Sequence, residues 1–369
     1  MKKFANIALT MVLVLAACSK LETSPVETTT SRISFEVGCY APQTKAGGVS
    51  FLDNYAGSFR SKAWMRASGI APRAYFGENG ETITWDGASK NWVPGHDYYW
   101  PKSSSSYIDF FSWYDSFSYD PSIVYDNAAS PTTATMTWTR TVEASDVILV
   151  ADAAWRQSTN TNTYSVDDPS VAGVPTLFRN YLSRVEMKMR SLHDTDPDNS
   201  TVTYEVALQS AKISGLYHTG TLTLTNADPG AKGSQAWTAA SGTDYAWVAD
   251  TGSAADVDIA GVSPISETAV SILAQRSFLP QQLTNAKLDL LLTITTKSNG
   301  IVTASESDIA VSLNLNTIKN ASNVAITTWV PNKTYTYTLI INPINQEILL
   351  EPTLKDWSSD VEFISVVVE

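Results

Sequence analysis

Cysteine, histidine and positive charge are all scarce in this 369-residue sequence, and each scarcity removes a class of function. The three histidines, His96, His193 and His218, lie far apart, and none shares a metal-ligand spacing with a cysteine or another histidine. That pattern argues against zinc catalysis. No G-x-S-x-G elbow, Walker loop or G-x-G-x-x-G run occurs, so the common nucleophile, nucleotide and dinucleotide signatures are absent. The expectation is a protein that is not an enzyme and has no cofactor and no metal. Lys+Arg 25 against Asp+Glu 37 leaves a net charge of −12, a field that repels phosphate and argues against nucleic acid as a partner. After the first twenty residues there is no apolar run of membrane-spanning length, and no long helix-favouring run of Ala, Glu, Lys and Leu.

What is present is a folding composition. Residues are 43% hydrophobic, 10% aromatic and 17% charged, and strand-favouring Thr, Val, Tyr and Trp are abundant. An all-β protein is expected. The N-terminus is an address instead of structure: Met1-Lys2-Lys3 is basic, Ile7 to Ala17 is apolar but too short to span a bilayer, and Leu15-Ala16-Ala17-Cys18 forms a lipobox. Residues 1–17 are read as a signal peptide cleaved between Ala17 and Cys18, whose thiol is then acylated. Cys39 is left without a partner, so an exported chain uses no disulfide and must draw its stability from core burial. Ser19 to Ser31 has no apolar period and reads as a tether.

Ile33, Phe35, Val37 and Cys39 alternate with Ser34, Glu36 and Gly38, the pattern of one half-buried strand. Pro42, Gly47 and Gly48 frame an accessible segment in which a trypsin-like protease would cut between Lys45 and Ala46; Arg32 is the competing basic site. Tether and first strand together make residues 18–45. From Trp64 onward come short strands, among them Tyr75-Phe76, Thr82 to Trp85, Tyr107 to Tyr114, Met136 to Trp138 and Val147 to Val150. Turn signals roughly 8–12 residues apart suit a sandwich. A loop rich in Asn, Thr, Asp and Pro from Gln157 to Pro175 sets an expected boundary between units at 46–175 and 176–369. Strands of the second unit are expected at Leu182 to Met189, Val202 to Leu208, Thr221 to Leu224, Leu288 to Ile294, Ile309 to Leu315 and Tyr335 to Ile341, with two more after them.

Two clusters admit more than one reading. Asp194, Asp196, Asp198 and Glu205 carry the spacing of an EF-hand calcium loop, but Asn199 stands where Gly is wanted, Pro197 stiffens the loop, and both flanks alternate like strands. A hairpin turn is the reading adopted. Trp92, Tyr98, Tyr99 and Trp100 are dense enough for one or two rings to be exposed and to stack on sugar, against the alternative of core packing.

Several segments resemble the fimbrillin-like family of type V pilins. They are Trp92 with Tyr98-Tyr99-Trp100-Pro101, Ile108-Asp109-Phe110-Phe111, Asp146-Val147-Ile148-Leu149-Val150-Ala151, Phe278-Leu279-Pro280-Gln281-Gln282, and the closing Trp329, Tyr335-Thr336-Tyr337 and Trp357. Asn180 departs from the pattern, since the family commonly has His there. The resemblance implies two transthyretin-like β-sandwich domains in tandem and export as a lipoprotein held in the outer membrane by its lipid. It further implies removal of the lipidated segment with its first strand, and assembly at the cell surface into a fimbrium made of copies of this chain or related pilin subunits. A host glycan or protein receptor is the further partner an adhesive role implies. Excising Ile33 to Cys39 would open a groove, and the tail offers a filler: Val361, Phe363 and Val367 alternate, with Ile364, Val366 and Val368 on the other face. The same alternation would serve an ordinary last strand of its own sheet. Within the family, a tip or accessory adhesin is the rival to a stalk subunit; outside it, the rival is a monomeric surface lipoprotein that binds glycan.

Overall fold

The computed structural model describes residues 31–41, 48–51, 57–67, 70–115, 120–127, 131–161, 163, 172–227, 231–239, 245–250, 257–258, 264–320 and 323–356. Among them the chain forms strands, turns and one 3₁₀ turn at Leu315–Thr317, with no α-helix. The all-β expectation holds.

The first strands are β1 (Phe35–Ala41), β2 (Gly48–Phe51), β3 (Ser58–Ala67), β4 (Ile70–Ala74), β5 (Glu81–Asp86), β6 (Asn91–Pro94) and β7 (Ser106–Asp115). They continue with β8 (Ser122–Tyr125), β9 (Thr133–Thr141), β10 (Ile148–Ala151), β11 (Ala154–Gln157) and β12 (Val174–Asn180). Ten of these twelve join one sheet that runs β11-β7-β10-β12-β1-β6-β5-β3-β4, with β2 beside β1. Because β3 also pairs with β7 from Arg60↔Trp113 to Ala67↔Ser106, the path β7-β10-β12-β1-β6-β5-β3 returns on itself as a closed ring. Closure removes most free edges. Inside it lie Ile33, Phe35, Val37, Phe59, Ile83, Trp92, Phe110 and Phe178, all buried.

The expected boundary at 175/176 falls inside β12. β12 pairs with β1 and β10, so the ring takes its last strand after the Asn- and Thr-rich stretch and ends at Asn180. Tyr75-Phe76, expected as a strand, lies just past β4. Phe76 nevertheless faces the ring interior, its side chain being buried against Phe35.

The remaining strands are β13 (Ser183–Ser191), β14 (Val202–Leu216), β15 (Thr219–Ala227), β16 (Ala231–Ala239), β17 (Tyr245–Asp250), β18 (Val257–Asp258) and β19 (Val270–Phe278). The series ends with β20 (Gln281–Gln282), β21 (Lys287–Ser298), β22 (Ile301–Asn314), β23 (Thr328–Trp329), β24 (Lys333–Asn342) and β25 (Glu347–Asp356). Sheet β19-β13-β24-β25 faces sheet β18-β17-β14-β21-β22 across a shared apolar core containing Val185, Met187, Ile213, Leu288, Leu290, Tyr337 and Leu339. Side chains along β13 and β21 alternate in burial because each sheet has one core-facing side. The strand expected at Ile309 to Leu315 starts eight residues earlier, since Ile301 to Asp308 are exposed and give no apolar alternation. An Asn299-Gly300 turn, with φ of 50° and 79°, joins β21 to β22 in the hairpin geometry that these residues favour. Of the two strands expected after β24, β25 is present and the second lies outside the described residues.

A third sheet, β16-β15-β9-β8, combines strands from both halves of the sequence. Nine pairs join β9 to β15, from Thr219↔Thr141 to Ala227↔Thr133. Beneath it, Met136, Trp138, Leu222, Leu224 and Leu279 pack with Phe111, Trp113 and Ile148 of the ring strands. Several recognisable segments have structural tasks here. Asp146 is buried, accepts Arg140 Nη2 at 2.6 Å and the Glu143 amide at 2.8 Å, and its carbonyl takes Ser277 Oγ at 2.7 Å. Gln281 accepts the Tyr217 amide and donates to the Tyr217 carbonyl, a two-way clamp on the β14–β15 connection. Trp329 Nε1 donates to the Tyr337 hydroxyl at 2.9 Å inside the core, which satisfies two polar groups that burial would otherwise penalise.

A shared sheet couples the two halves. Leu222 is fully buried under it, and Leu222→Ala is expected to remove about 2–5 kcal/mol. Differential scanning calorimetry should show one transition in both proteins, shifted down as a whole in the variant; two transitions with only one displaced would refute the coupling.

Candidate functional site: the buried first strand

Ile33, Phe35 and Val37 point into the ring and are 0%, 1% and 1% exposed. Phe35 is the centre of an aromatic cluster, edge-on to Phe59 at 5.6 Å and to Phe110 at 5.5 Å, with Phe76 at 6.3 Å. Each such side chain contributes roughly 1.5–3 kcal/mol through burial. The expected half-buried strand is corrected on its other face, because Ser34 is 6% exposed and Glu36 is 0% exposed. A polar alternate position normally signals solvent; here Asn160, Thr163, Ala172 and Gly173 meet that face, and hydrogen bonds replace the water. The Thr163 amide donates to Glu36 Oε2 at 2.6 Å, Ser34 Oγ donates to the Ala172 carbonyl at 2.8 Å, and the Ser34 amide donates to Asn160 Oδ1 at 3.3 Å. Gly173 is required by this approach, since a Cβ there would stand 2.4 Å from the Phe35 carbonyl carbon.

Backbone pairing holds β1 on each side. It runs parallel to β12 over five pairs, from Phe35↔Val174 to Cys39↔Phe178, and antiparallel to β2 over four, while β6 contributes the Phe35↔Trp92 pair. Ahead of the strand, the Ile33 amide donates to the Tyr98 carbonyl at 2.8 Å and Trp100 N–H to the Ser31 carbonyl at 3.2 Å. An Arg32–Asp97 ion pair at 2.6 Å adds little, because both side chains are well exposed.

The aromatic cluster expected to offer rings for sugar stacking lines this same site. Trp92 and Trp100 are buried, Trp92 against Phe59 and Trp85, Trp100 against Phe110 with its Nε1 on Asn160 Oδ1 at 3.0 Å. Core packing claims both indoles, which removes them as glycan platforms; Tyr99 is the exposed ring of the four at 45%. The acidic run forms a tight hairpin turn. Asp196 accepts the Asp198 and Asn199 amides and the Tyr204 hydroxyl, Asp194 is tied to Glu267, and Glu205 pairs with Lys297. These carboxylates are spent on separate partners, and among the described residues no group of three or more His, Cys, Asp or Glu side chains converges on a point.

Cys39 contributes backbone to β1. Ala17, Cys18, Lys45 and Ala46, and the tail residues Val361, Phe363 and Val367, lie outside the described residues. Ala41↔Gly48 closes the β1–β2 pair, so the Lys45 segment is the connection between two hydrogen-bonded strands. Sequence reasoning missed Asn160, Thr163, Ala172 and Gly173, which sit in a loop whose composition signalled only a boundary.

Next to the site, Tyr98 donates to Glu81 Oε1 at 2.7 Å and packs on Phe76 at 4.5 Å. Burial, reinforced by that bond to Glu81, pushes its phenol up to about 12. A phenol held protonated in the fold contributes stability that is fully present below its ordinary value near 10 and is lost as pH rises through about 12. The melting temperature should therefore fall less between pH 9 and pH 12 in Tyr98→Phe than in the parent; equal falls would contradict the assignment.

Compared with known proteins, the chain matches the family described as fimbrillin-like over residues 58–357. Among solved structures it is similar to a fimbrial protein from Bacteroides vulgatus, at 14% identity and a TM-score of 0.48, over 89% of this chain and 100% of that one. It is also similar to a fimbrilin from Porphyromonas gingivalis, at 9% identity and a TM-score of 0.37, over 88% and 98% of the two chains. No curated protein matches it in sequence. The family match opens at the first residue of β3 and closes one residue after β25, and the chain belongs to the fimbrillin-like family.

Proposed function

We propose that this chain is a structural subunit of a cell-surface fimbrium, exported as a lipoprotein through Cys18, cut after Lys45, and polymerised when the tail of one copy fills the place vacated by β1 in the next. The observation that carries the reading is the position of β1. It is an N-terminal strand at the centre of a closed ring, with core on one face and backbone partners on both sides. Severing the β1–β2 connection leaves β1 held only by noncovalent bonds. Its departure would bare the apolar lining of Phe59, Phe76, Phe110 and Phe178 together with the unpaired main-chain groups of β12. Such a groove demands a strand, because buried polar backbone without partners and apolar surface in water are both penalised.

The tail supplies apolar side chains at alternate positions, and a donated strand gains affinity from main-chain bonds and register from side chains in pockets. Donor and acceptor are different surfaces, so the contact is heterologous and extends into a filament instead of closing. Retained lipid would tether an uncut subunit to the outer membrane; cutting after Lys45 frees it. Cutting at Arg32 would leave β1 in place and produce no switch.

Two outcomes follow. Trypsin-limited cleavage of the folded chain should convert monomers into long oligomers visible by electron microscopy, and N-terminal sequencing of assembled protein should read Ala46-Gly47-Gly48; persistent monomers with intact cores, or a start at Ile33, would overturn the mechanism. Phe363→Asp adds a desolvation penalty to the loss of burial, so the cleaved variant should remain a soluble, cooperatively melting monomer. Filaments forming at the parent rate would move the linkage to another segment.

A further inference from the structure

The place of β1 is read on both faces, and its polar face asks for one particular side chain. The Asn160 carboxamide accepts the Ser34 amide at 3.3 Å and donates to the Arg32 carbonyl at 2.9 Å, so it meets a strand's main chain much as a neighbouring strand does. Trp100 Nε1 holds that carboxamide in place at 3.0 Å. This clamp is indifferent to sequence. The Thr163 amide is not, because it points at a fully buried position where Glu36 supplies its acceptor at 2.6 Å. A strand that replaced β1 with an apolar residue there would take away that N–H's acceptor and set an apolar side chain against a polar group, which is disfavoured.

β1 carries Phe35-Glu36-Val37, and the tail carries Val361-Glu362-Phe363, the same three residues in reverse; Val-Glu-Phe occurs once in the sequence. Resting on the donor-strand reading above, we propose that the tail of a second copy enters in the direction opposite to β1, with Phe363 at the place of Phe35, Val361 at that of Val37, and the Glu362 carboxylate accepting the Thr163 amide. The parallel alignment on Phe363 would put Ile364 at the place of Glu36 and Ser365 at the place of Val37, in mid-strand. The reversed alignment moves Ser365 to the place of Ile33, which is also buried but precedes the first residue of β1. Reversal also makes the ladder with β12 antiparallel. That ladder has five pairs, and the five antiparallel pairs of β1 with β2 and β6 become parallel in exchange, so the direction rests on the side chains and not on the ladders.

The test uses the chain cut after Lys45 and exchanged with excess synthetic peptide of residues 357–369. Both native cysteines, Cys18 and Cys39, precede the cut, so an introduced thiol stands alone. Val37 is paired with Thr176, and in Thr176→Cys a Val361→Cys peptide should form a disulfide while a Ser365→Cys peptide should not. Independently of that variant, a Glu362→Leu peptide should bind the unsubstituted chain on the order of tenfold more weakly than the parent peptide. Cross-linking of Ser365→Cys instead, or equal binding of Glu362→Leu, would overturn the reversed register while leaving strand donation intact. If the tail peptide fails to enter but a peptide of residues 31–41 rebinds, strand donation by the tail fails, and the register with it.

Discussion

Everything in the first half of the molecule depends on one strand being held inside a ring it did not need to be covalently part of. β1 and β12 are adjacent in space and nearly 140 residues apart in sequence, with Phe35 opposite Val174. Pairing ends so distant is entropically expensive and slow, so closure has to be secured by dense burial, and the aromatic cluster around Phe35 supplies it. A ring closed by its most N-terminal strand can be complete, and therefore free of sticky edges, for as long as that strand is attached. A cut in the β1–β2 connection would leave that strand held by noncovalent contacts alone.

The covered polar face of β1 adds selectivity to that arrangement. A buried carboxylate is a poor source of stability, since its desolvation offsets what its bonds return; its value lies in discrimination, because only an acceptor satisfies the amide it faces. Glu36 and its Thr163 partner fix one position of β1 by a polar contact, where shape and main-chain bonds hold the rest. Apolar alternation alone tolerates slippage by two residues. A single buried polar requirement does not.

The lower part of the molecule is built for the opposite purpose. The β9–β15 ladder joins segments from the two halves, and the buried Arg140–Asp146 pair and Ser277 tie the start of β10 to β19. These contacts combine buried, hydrogen-bonded polar groups with close-packed Trp, Met and Leu, the combination that makes an interface rigid. A subunit that exchanged one strand while its two halves moved freely would transmit little load along a filament. Among the described residues, the strand that a single backbone cut near the N-terminus would release belongs to the ring, not to these sheets.

The sequence by itself determined the all-β class, because Thr, Val, Tyr and Trp at alternate positions leave no amphipathic helix to form, and it located β1, β14 and β15 from alternating apolar residues. It also marked Asp146, Phe278 to Gln282, Trp329 and Tyr337, though not what they do. Only the tertiary structure decided four matters. Ser34 and Glu36 are buried, since alternation reports one apolar face and is silent about what covers the other. The first eight residues of β22 are strand without any apolar period, because backbone pairing to β21 sets them there. Trp92 and Trp100 line the ring, as density of aromatics carries no direction. Asn160 and Thr163 meet β1 from a loop more than 120 residues away, a proximity that no local pattern encodes, because it exists only once β12 has closed the ring.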